Sequence, residues 1–261
     1  MFLSEHGYAK SRSAAAALIS GGVTVNGVKI TKPAQNVPEC ESYTVEIANP
    51  QKYVSRGGLK LEAALDAFGV SVTGLECADI GASTGGFTDC LIRRGAKKVF
   101  AVDVGHGQLD ESLLRDERVV NMEGVNARTL NEGDIGGKVP LAVSDISFIS
   151  QTLIYHAVCD ILSDGGAFIS LIKPQFEAGV KNIGKGGIVK DRSVHADVIN
   201  RLFAAAQSEN LSPKALIPSP IKGGDGNTEY LALFEKGGVP CVINIKEAVA
   251  SAFQSKGEQA L

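Results

Sequence analysis

From residue 77 onwards, short apolar runs alternate with amphipathic segments. Their lengths and periodicities predict helices near 87–94, 108–116, 150–162 and 193–208, and strands near 77–80, 98–103, 118–122, 140–145, 166–172, 213–218 and 228–234. Regular alternation of strands and helices is typical of a mostly parallel, doubly wound α/β sheet. The last two predicted strands have no helix between them, so we expect the sheet to end in an antiparallel pair.

The first part of the chain follows a different pattern. Lys10–Ser20 has the composition of a helix, with Ser11 or Ser13 as candidate N-cap, and a pair of glycines ends it. Asn26-Gly27 then separates two alternating runs, which predicts a type I′ hairpin over 23–30, and a further strand is expected over 42–47. These elements predict a small α+β domain, although the segment is also consistent with a mere cap on the larger domain.

Four segments follow from these patterns. We expect the small domain over residues 1–48, a linker over 49–54, the α/β domain over 55–253 and a polar, frayed tail over 254–261.

Composition is that of an ordinary globular protein, with 44% hydrophobic and 21% charged residues among 261. The sequence contains no apolar run long enough for a transmembrane helix and no visible signal peptide, so we expect a cytoplasmic protein without membrane insertion. The five cysteines are scattered and form no C-x-x-C pair, which argues against a disulfide framework and against a zinc site.

Charge is distributed unevenly along the chain. The net charge is −3, yet residues 1–60 carry a surplus of three positive charges. A basic front segment on an acidic remainder weakly indicates an anionic partner for the front segment.

The glycine-rich turn after the first strand of the larger domain indicates a ligand site. An apolar run ends at Asp79, and the turn Gly81–Gly86 leads into a helical pattern. Ser83 replaces the second glycine of a dinucleotide fingerprint, and the turn contains no Lys or Arg to meet a pyrophosphate. This favours an adenosine ligand without phosphates, S-adenosylmethionine rather than NAD. Asp103, 20 residues after Ser83, is placed to accept hydrogen bonds from ribose hydroxyls. The alternative is a tight strand-to-helix turn that binds nothing.

Three further ionisable residues are expected at the same edge of the sheet, where ligands of open α/β folds bind. Asp145 and Lys173 follow strands, and Glu229 begins one. Pro174 keeps Lys173 extended and ends strand pairing there. Lys60 lies in the first turn of an amphipathic helix, where the helix dipole disfavours a cation. Each residue alone could be a capping acid, a surface lysine or an ordinary strand charge, but together they indicate a site.

These groups suit methyl transfer to a hydroxyl, which needs a base to take the hydroxyl proton. A lysine can serve if it is neutral. A second cation nearby favours the neutral amine, whereas neighbouring carboxylates favour the ammonium, so its charge stays open.

Two resemblances extend this interpretation. The front helix and hairpin resemble the S4-like RNA-binding domain, whose first helix is usually longer, so we expect a domain shortened at its start. The larger domain resembles the TlyA family, known as hemolysins and as FtsJ-like ribosomal RNA 2′-O-methyltransferases. Five segments carry that resemblance: Tyr53–Glu62, Asp79–Asp89, Val102–Leu109, Ser144–Ser150 and Ile172–Glu177.

The TlyA resemblance implies a Rossmann-like, S-adenosylmethionine-dependent methyltransferase domain acting on cytidine 2′-hydroxyls of ribosomal RNA. It implies a catalytic tetrad of Lys60, Asp145, Lys173 and Glu229, with Lys173 as the base. It implies an adenine contact for Asn126 and a cofactor site of Asp79, Gly81, Ser83, Thr84, Gly85, Gly86, Phe87, Asp103, Asn126 and Asp145. No metal is expected.

Candidate RNA contacts are basic residues of both domains: Lys10, Arg12, Lys29, Arg56, Lys185 and Lys190. The last two belong to the loop Gly184–Arg192, which is either a phosphate clamp or a solvated mobile loop and does not match the Walker pattern. Two other functions remain open: a small-molecule methyltransferase, and a non-enzymatic RNA-binding or hemolysin-like protein.

Overall fold

The computed structural model describes residues 2–9, 12–38, 40, 42–48, 52–224 and 226–254. Contacts divide the chain into two compact units, Met1–Lys52 and Tyr53–Leu261. Tyr53, at the end of the expected linker, is buried in the core of the second unit. Its hydroxyl donates to Glu62 Oε1 at 2.9 Å. Residues 49–51 of that linker lie outside the described residues.

The small unit contains two helices and a three-stranded antiparallel sheet of order β2-β1-β3. Its elements are α1 (Phe2–Glu5), α2 (Arg12–Gly21), β1 (Val23–Val25), β2 (Val28–Ile30) and β3 (Val45–Ile47). The predicted type I′ hairpin is confirmed, because both turn residues have positive φ, 50° at Asn26 and 77° at Gly27. Ser11, one candidate N-cap of α2, lies outside the described residues.

The large unit is built on a seven-stranded sheet of order β6-β5-β4-β7-β8-β10-β9. The strands are β4 (Glu76–Ile80), β5 (Lys98–Asp103), β6 (Val119–Glu123), β7 (Val139–Ser144), β8 (Leu162–Ile172), β9 (Leu211–Pro218) and β10 (Tyr230–Lys236). β4 to β8 pair in parallel, and β10 pairs antiparallel with both β8 and β9. The predicted mostly parallel sheet and its antiparallel end are therefore confirmed.

Helices cover both faces of this sheet. They are α3 (Gly57–Phe68), α4 (Gly86–Arg93), α5 (Glu111–Leu114), α6 (Tyr155–Ile161), α7 (Pro174–Glu177), α8 (Arg192–Ser208) and α9 (Ile245–Gln254). Alternate strand residues enter two different cores. Cys77 packs with the α3 and α4 side, whereas Ala78 packs with the α6, α8 and α9 side. Two-residue periodicity within the apolar runs thus gives a sheet buried on both faces.

Some elements differ from the sequence expectation. The predicted helix 150–162 is a 3-10 turn over Gln151–Leu153 followed by α6, and the Ser150 hydroxyl caps the start of the turn by accepting from the Thr152 N–H. β8 begins at Leu162, four residues earlier than expected. α7 and α9 were not predicted, and α9 ends at Gln254, where the frayed tail was expected to begin; residues 255–261 lie outside the described residues.

The strand order places a topological switch between β4 and β7. The chain adds β5 and β6 on one side of β4 and then returns to add β7 on its other side. Ligands of doubly wound sheets bind in the crevice at the carboxyl ends of the strands at such a switch. The glycine turn after β4 and Asp145 after β7 lie at this point, and the Asp145 N–H donates to Ile80 O at 3.1 Å.

Candidate active site

Asp103 organises the glycine turn. Gly81, Ser83 and Gly85 have φ angles of 83°, 49° and 92°. The left-handed conformation of Ser83 turns its N–H toward Asp103, which accepts it on Oδ2 at 2.8 Å, while Oδ1 accepts the Gly105 N–H at 2.7 Å. Each carboxylate oxygen retains a lone pair. Asp103 can therefore hold the turn and still accept from ribose hydroxyls.

The start of α3 packs against the start of α4. A methyl group at Gly86 would clash with Ser55 Oγ and lie 3.1 Å from the Gly58 nitrogen, so Ser55 would have to rotate or the start of α3 to shift to admit it. A cavity of about 80 Å³ is lined by Ser55, Gly57, Gly81, Ala82, Ser83, Thr84, Gly86, Phe87 and Asp145. Ser55 and Gly57 were not among the site residues predicted from the sequence, although a glycine pair such as Gly57-Gly58 is a signal of close backbone approach.

Asp79 is fully buried beneath this turn. Its Oδ2 accepts from the Thr88 hydroxyl at 2.6 Å, and its Oδ1 has no hydrogen-bond partner among the described residues. Burial, with a smaller contribution from the charge of Asp145, raises the pKa of Asp79 to about 7. A buried acceptor without a partner beside a glycine cradle fits a ligand that carries a cationic or hydrogen-bond-donating group.

Asn126 lies next to Asp103 but is exposed. The neighbouring Val125 N–H donates to Asp103 O at 3.0 Å, which brings the segment to the carboxyl end of β5. The Asn126 side-chain oxygen accepts from the Arg128 N–H at 3.1 Å. Its amide N–H₂ group remains suited to an acceptor such as an adenine nitrogen.

The four expected tetrad residues form two ion pairs at the same edge. Lys60 Nζ lies 2.5 Å from Glu229 Oε2, with side chains 9% and 3% exposed. Lys173 Nζ lies 2.6 Å from Asp145 Oδ1, with side chains 11% and 24% exposed. Glu229 reaches this edge because β10 runs antiparallel and pairs its first residue, Tyr230, with Ile172. These positions exclude the interpretations of Lys173 as a surface lysine and Glu229 as a solvated strand charge.

Further contacts distinguish the two pairs. Lys173 Nζ also donates to Ser147 Oγ at 2.7 Å, and Gln175 Nε2 donates to Glu229 Oε1 at 3.5 Å. Because Lys60 is compensated by its own carboxylate, it influences Lys173 less than an unpaired cation would. Ser147 and Gln175 were not predicted from the sequence, since a serine or glutamine beside a charged residue has no distinctive pattern.

The basic loop Gly184–Arg192 is hydrogen-bonded to the segment just before β10, which also carries Glu229. Asn227 is buried, its side-chain oxygen accepts from the Val189 N–H at 3.2 Å, and its amide donates to Gly187 O at 2.9 Å. Lys185 and Lys190 are exposed on this loop. Asn227 lies two residues before Glu229, so its hydrogen bonds hold the basic loop beside the tetrad.

The other basic candidates are distributed over both units. Arg56 is exposed and donates to Lys222 O at 2.6 Å. Arg12 and Lys29 are exposed on the small unit, and Lys10 lies outside the described residues. Within the described residues, no group of three His, Cys, Asp or Glu side chains could hold a metal ion, and no helix is long and apolar enough to cross a membrane.

Two family models match the chain. An FtsJ-like methyltransferase model matches residues 53–236, and an S4 domain model matches residues 1–42. The matched regions contain the glycine turn, the tetrad and the small unit's hairpin.

Three relatives are similar over most of their length. The chain is 43% identical to the 16S/23S rRNA (cytidine-2′-O)-methyltransferase TlyA of Mycobacterium tuberculosis, covering 87% of this chain and 85% of that one. It is 44% identical to Hemolysin A of Brachyspira hyodysenteriae, covering 89% and 97%. A solved structure from Streptococcus thermophilus that carries the name hemolysin is 43% identical, with a TM-score of 0.78 and coverage of 96% and 93%. The chain therefore belongs to the TlyA family of FtsJ-like methyltransferases with an N-terminal S4 domain.

Proposed function

We propose that this protein transfers a methyl group from S-adenosylmethionine to the 2′-hydroxyl of a cytidine in ribosomal RNA. The observation that carries the proposal is the Lys173–Asp145 pair, 2.6 Å between Nζ and Oδ1, at the edge that also carries the glycine cradle. Asp145 lines the cradle cavity itself, so one residue joins the donor site to the base. The chemistry named for the TlyA relative from Mycobacterium tuberculosis supports the same acceptor.

The cofactor residues fit this donor. S-adenosylmethionine, when bound, supplies a methyl group activated by a positively charged sulfur. Gly81 to Phe87 would line its binding site, with Asp103 on the ribose hydroxyls and Asn126 on the adenine. Asp79 would meet a donor group through its unpartnered Oδ1. The absence of Lys and Arg from residues 81–87 suits a ligand without phosphates.

Lys173 would act as the base. As a neutral amine it accepts the 2′-hydroxyl proton on Nζ, and the resulting ammonium is stabilised by the Asp145 carboxylate. Lys60 and Glu229 form a mutually compensated pair that holds the start of α3 against the start of β10. Holding the acceptor hydroxyl in line with the methyl group supplies much of the remaining rate.

The RNA would meet basic residues of both units. Lys185, Lys190 and Arg56 are exposed on the unit that carries the tetrad, and Arg12 and Lys29 are exposed on the S4 unit. Such residues bind phosphates and position the RNA rather than read its sequence. Since the substrate is ribosomal, we expect the protein to act in the cytoplasm.

The test is transfer of labelled methyl from S-adenosylmethionine to purified ribosomal subunits. We expect the wild type and Lys97→Ala to transfer label, and Lys173→Ala to lose activity. Lys97 is a suitable control because its amine pairs with Glu76 at the amino end of β4, the opposite edge of the sheet. A 2′-O-methyl group blocks alkaline cleavage of the next phosphodiester, so the label should appear in an alkali-resistant dinucleotide.

Two outcomes would contradict the proposal. Transfer to a small molecule but to neither subunit would favour a small-molecule methyltransferase. If S-adenosylmethionine neither raises the melting temperature nor donates methyl, the glycine turn is not a donor site, because a saturating ligand of the native state must raise it.

A further inference from the structure

Ser147 lies two residues after Asp145 in the segment that follows β7, and both side chains contact the same amine. Lys173 Nζ donates to Ser147 Oγ at 2.7 Å and lies 2.6 Å from Asp145 Oδ1. Among the described residues, these two oxygen atoms contact Nζ. The ring of Phe176 is further away, with its centroid 5.9 Å from Nζ.

Two acceptors are the number that a neutral amine requires. A neutral lysine has two N–H donors and one lone pair, whereas the ammonium has three donors and no lone pair. Ser147 Oγ accepts one N–H in a hydrogen bond, whereas Asp145 Oδ1 lies 2.6 Å from Nζ without hydrogen-bond geometry. The Ser147 bond fixes one N–H direction, the negative charge of Asp145 attracts the second N–H, and the remaining tetrahedral direction is left to the lone pair. Without the Ser147 hydroxyl, only the charge of Asp145 limits rotation about the Cε–Nζ bond, and the lone pair can take more than one direction.

We infer that Ser147 is a positioning residue that aims the lone pair of Lys173 at the acceptor hydroxyl. This inference rests on the proposed function, in which Lys173 is the base. Asp145 cannot perform this role by itself, because its carboxylate attracts an N–H of Lys173 through charge without a hydrogen bond that would fix the N–H direction. Ser147 is only partly exposed and Lys173 is largely enclosed, which limits competition from water for the second N–H.

The experiment compares Ser147→Thr with Ser147→Val in the full-length protein. The two side chains have nearly the same shape and differ in the hydroxyl, so a folding defect caused by branching affects both. We expect Ser147→Thr to retain kcat and Ser147→Val to lower kcat by about 10- to 100-fold, the range expected for a misplaced base. KM for ribosomal subunits and Kd for S-adenosylmethionine should stay unchanged in both. Ser71→Val, at an exposed position, is the control for the substitution itself.

Each outcome either supports or overturns the assignment of Ser147 as a positioning residue. A loss of kcat in Ser147→Val that Ser147→Thr does not share, with unchanged KM and melting temperature, supports the inference. Equal kcat in both variants, while Lys173→Ala is inactive, overturns it and leaves the proposed function intact. An equal loss in both, with a lowered melting temperature, means that Ser147 only shapes the loop and also overturns it. If the wild type itself transfers no methyl, the proposed function fails and the inference fails with it.

Discussion

Lys60 Nζ lies 2.5 Å from Glu229 Oε2, although 169 positions separate the two residues in the chain. The pair joins the first turn of α3 to the residue before β10, and both side chains are almost fully enclosed. Lys60 faces the unfavourable end of its helix dipole, and the carboxylate offsets this. A methyl group at Gly223 would clash with Glu229 Oε1, so the loop before β10 also packs closely on the pair.

Removing one partner of this pair should destabilise the protein strongly. Lys60→Met leaves the Glu229 carboxylate buried without its cation, and Glu229→Gln does the same to the ammonium. We expect each single variant to lower the free energy of unfolding by about 3 kcal/mol or more. The double variant should lose less free energy of unfolding than the two single variants lose together, because neither charge is then buried without a partner. Urea unfolding of the four proteins measures this, and strict additivity would show that the pair contributes no coupling.

A side chain at Gly86 should disturb the glycine cradle. Gly86→Ala places a methyl group against Ser55 Oγ and 3.1 Å from the Gly58 nitrogen. We expect the affinity for S-adenosylmethionine to fall by at least about 10-fold, since Ser55 must rotate or the start of α3 must shift, and both line the cavity. Gly224→Ala is the matched control, because a methyl group there meets nothing within 4 Å. Calorimetric titration checks this, and equal affinity in both variants would contradict the placement of the donor.

Asp79 should make stability depend on pH. Its pKa is raised from 3.8 to about 7 by burial, so the folded state prefers the protonated form. The stability contributed by this group is fully present below pH 3.8 and is lost as the pH rises through about 7, at up to about 1.4 kcal/mol per pH unit.

Asp79→Asn keeps an acceptor for the Thr88 hydroxyl and removes the titration. The decline in unfolding free energy between pH 5 and pH 8 should therefore be smaller in this variant, as measured by urea unfolding without cofactor at several pH values. Parallel curves for the variant and the wild type would show that Asp79 does not titrate in this range.

The sequence predicted the central strands well because β4, β5 and β7 are largely apolar runs. It predicted that Asp145, Lys173 and Glu229 share one edge because they lie at strand ends that meet there. It did not predict α9, whose polar and apolar residues sit after a long irregular segment. Nor did it predict which carboxylate pairs with which lysine. That choice depends on the antiparallel direction of β10 and on its register with β8, which sets Tyr230 opposite Ile172. Ser147 and Gln175 were not predicted either, because a serine or glutamine beside a charged residue has no distinctive pattern and their partners are distant in sequence.

The basic loop should determine how RNA affinity depends on salt. Lys185 and Lys190 are exposed on a loop that Asn227 fastens beside Glu229, so their charges lie near the site of methyl transfer. If each amine neutralises one phosphate, Lys185→Ala and Lys190→Ala should each reduce the slope of log K against log salt by about 0.7 to 1. Lys97→Ala, at the opposite edge of the sheet, should leave the slope unchanged. Binding to ribosomal subunits across a series of salt concentrations measures the slopes. Identical slopes for all three variants would mean that the loop is solvated in the complex and that phosphate contacts come from other residues, with Arg56, Arg12 and Lys29 the next to substitute.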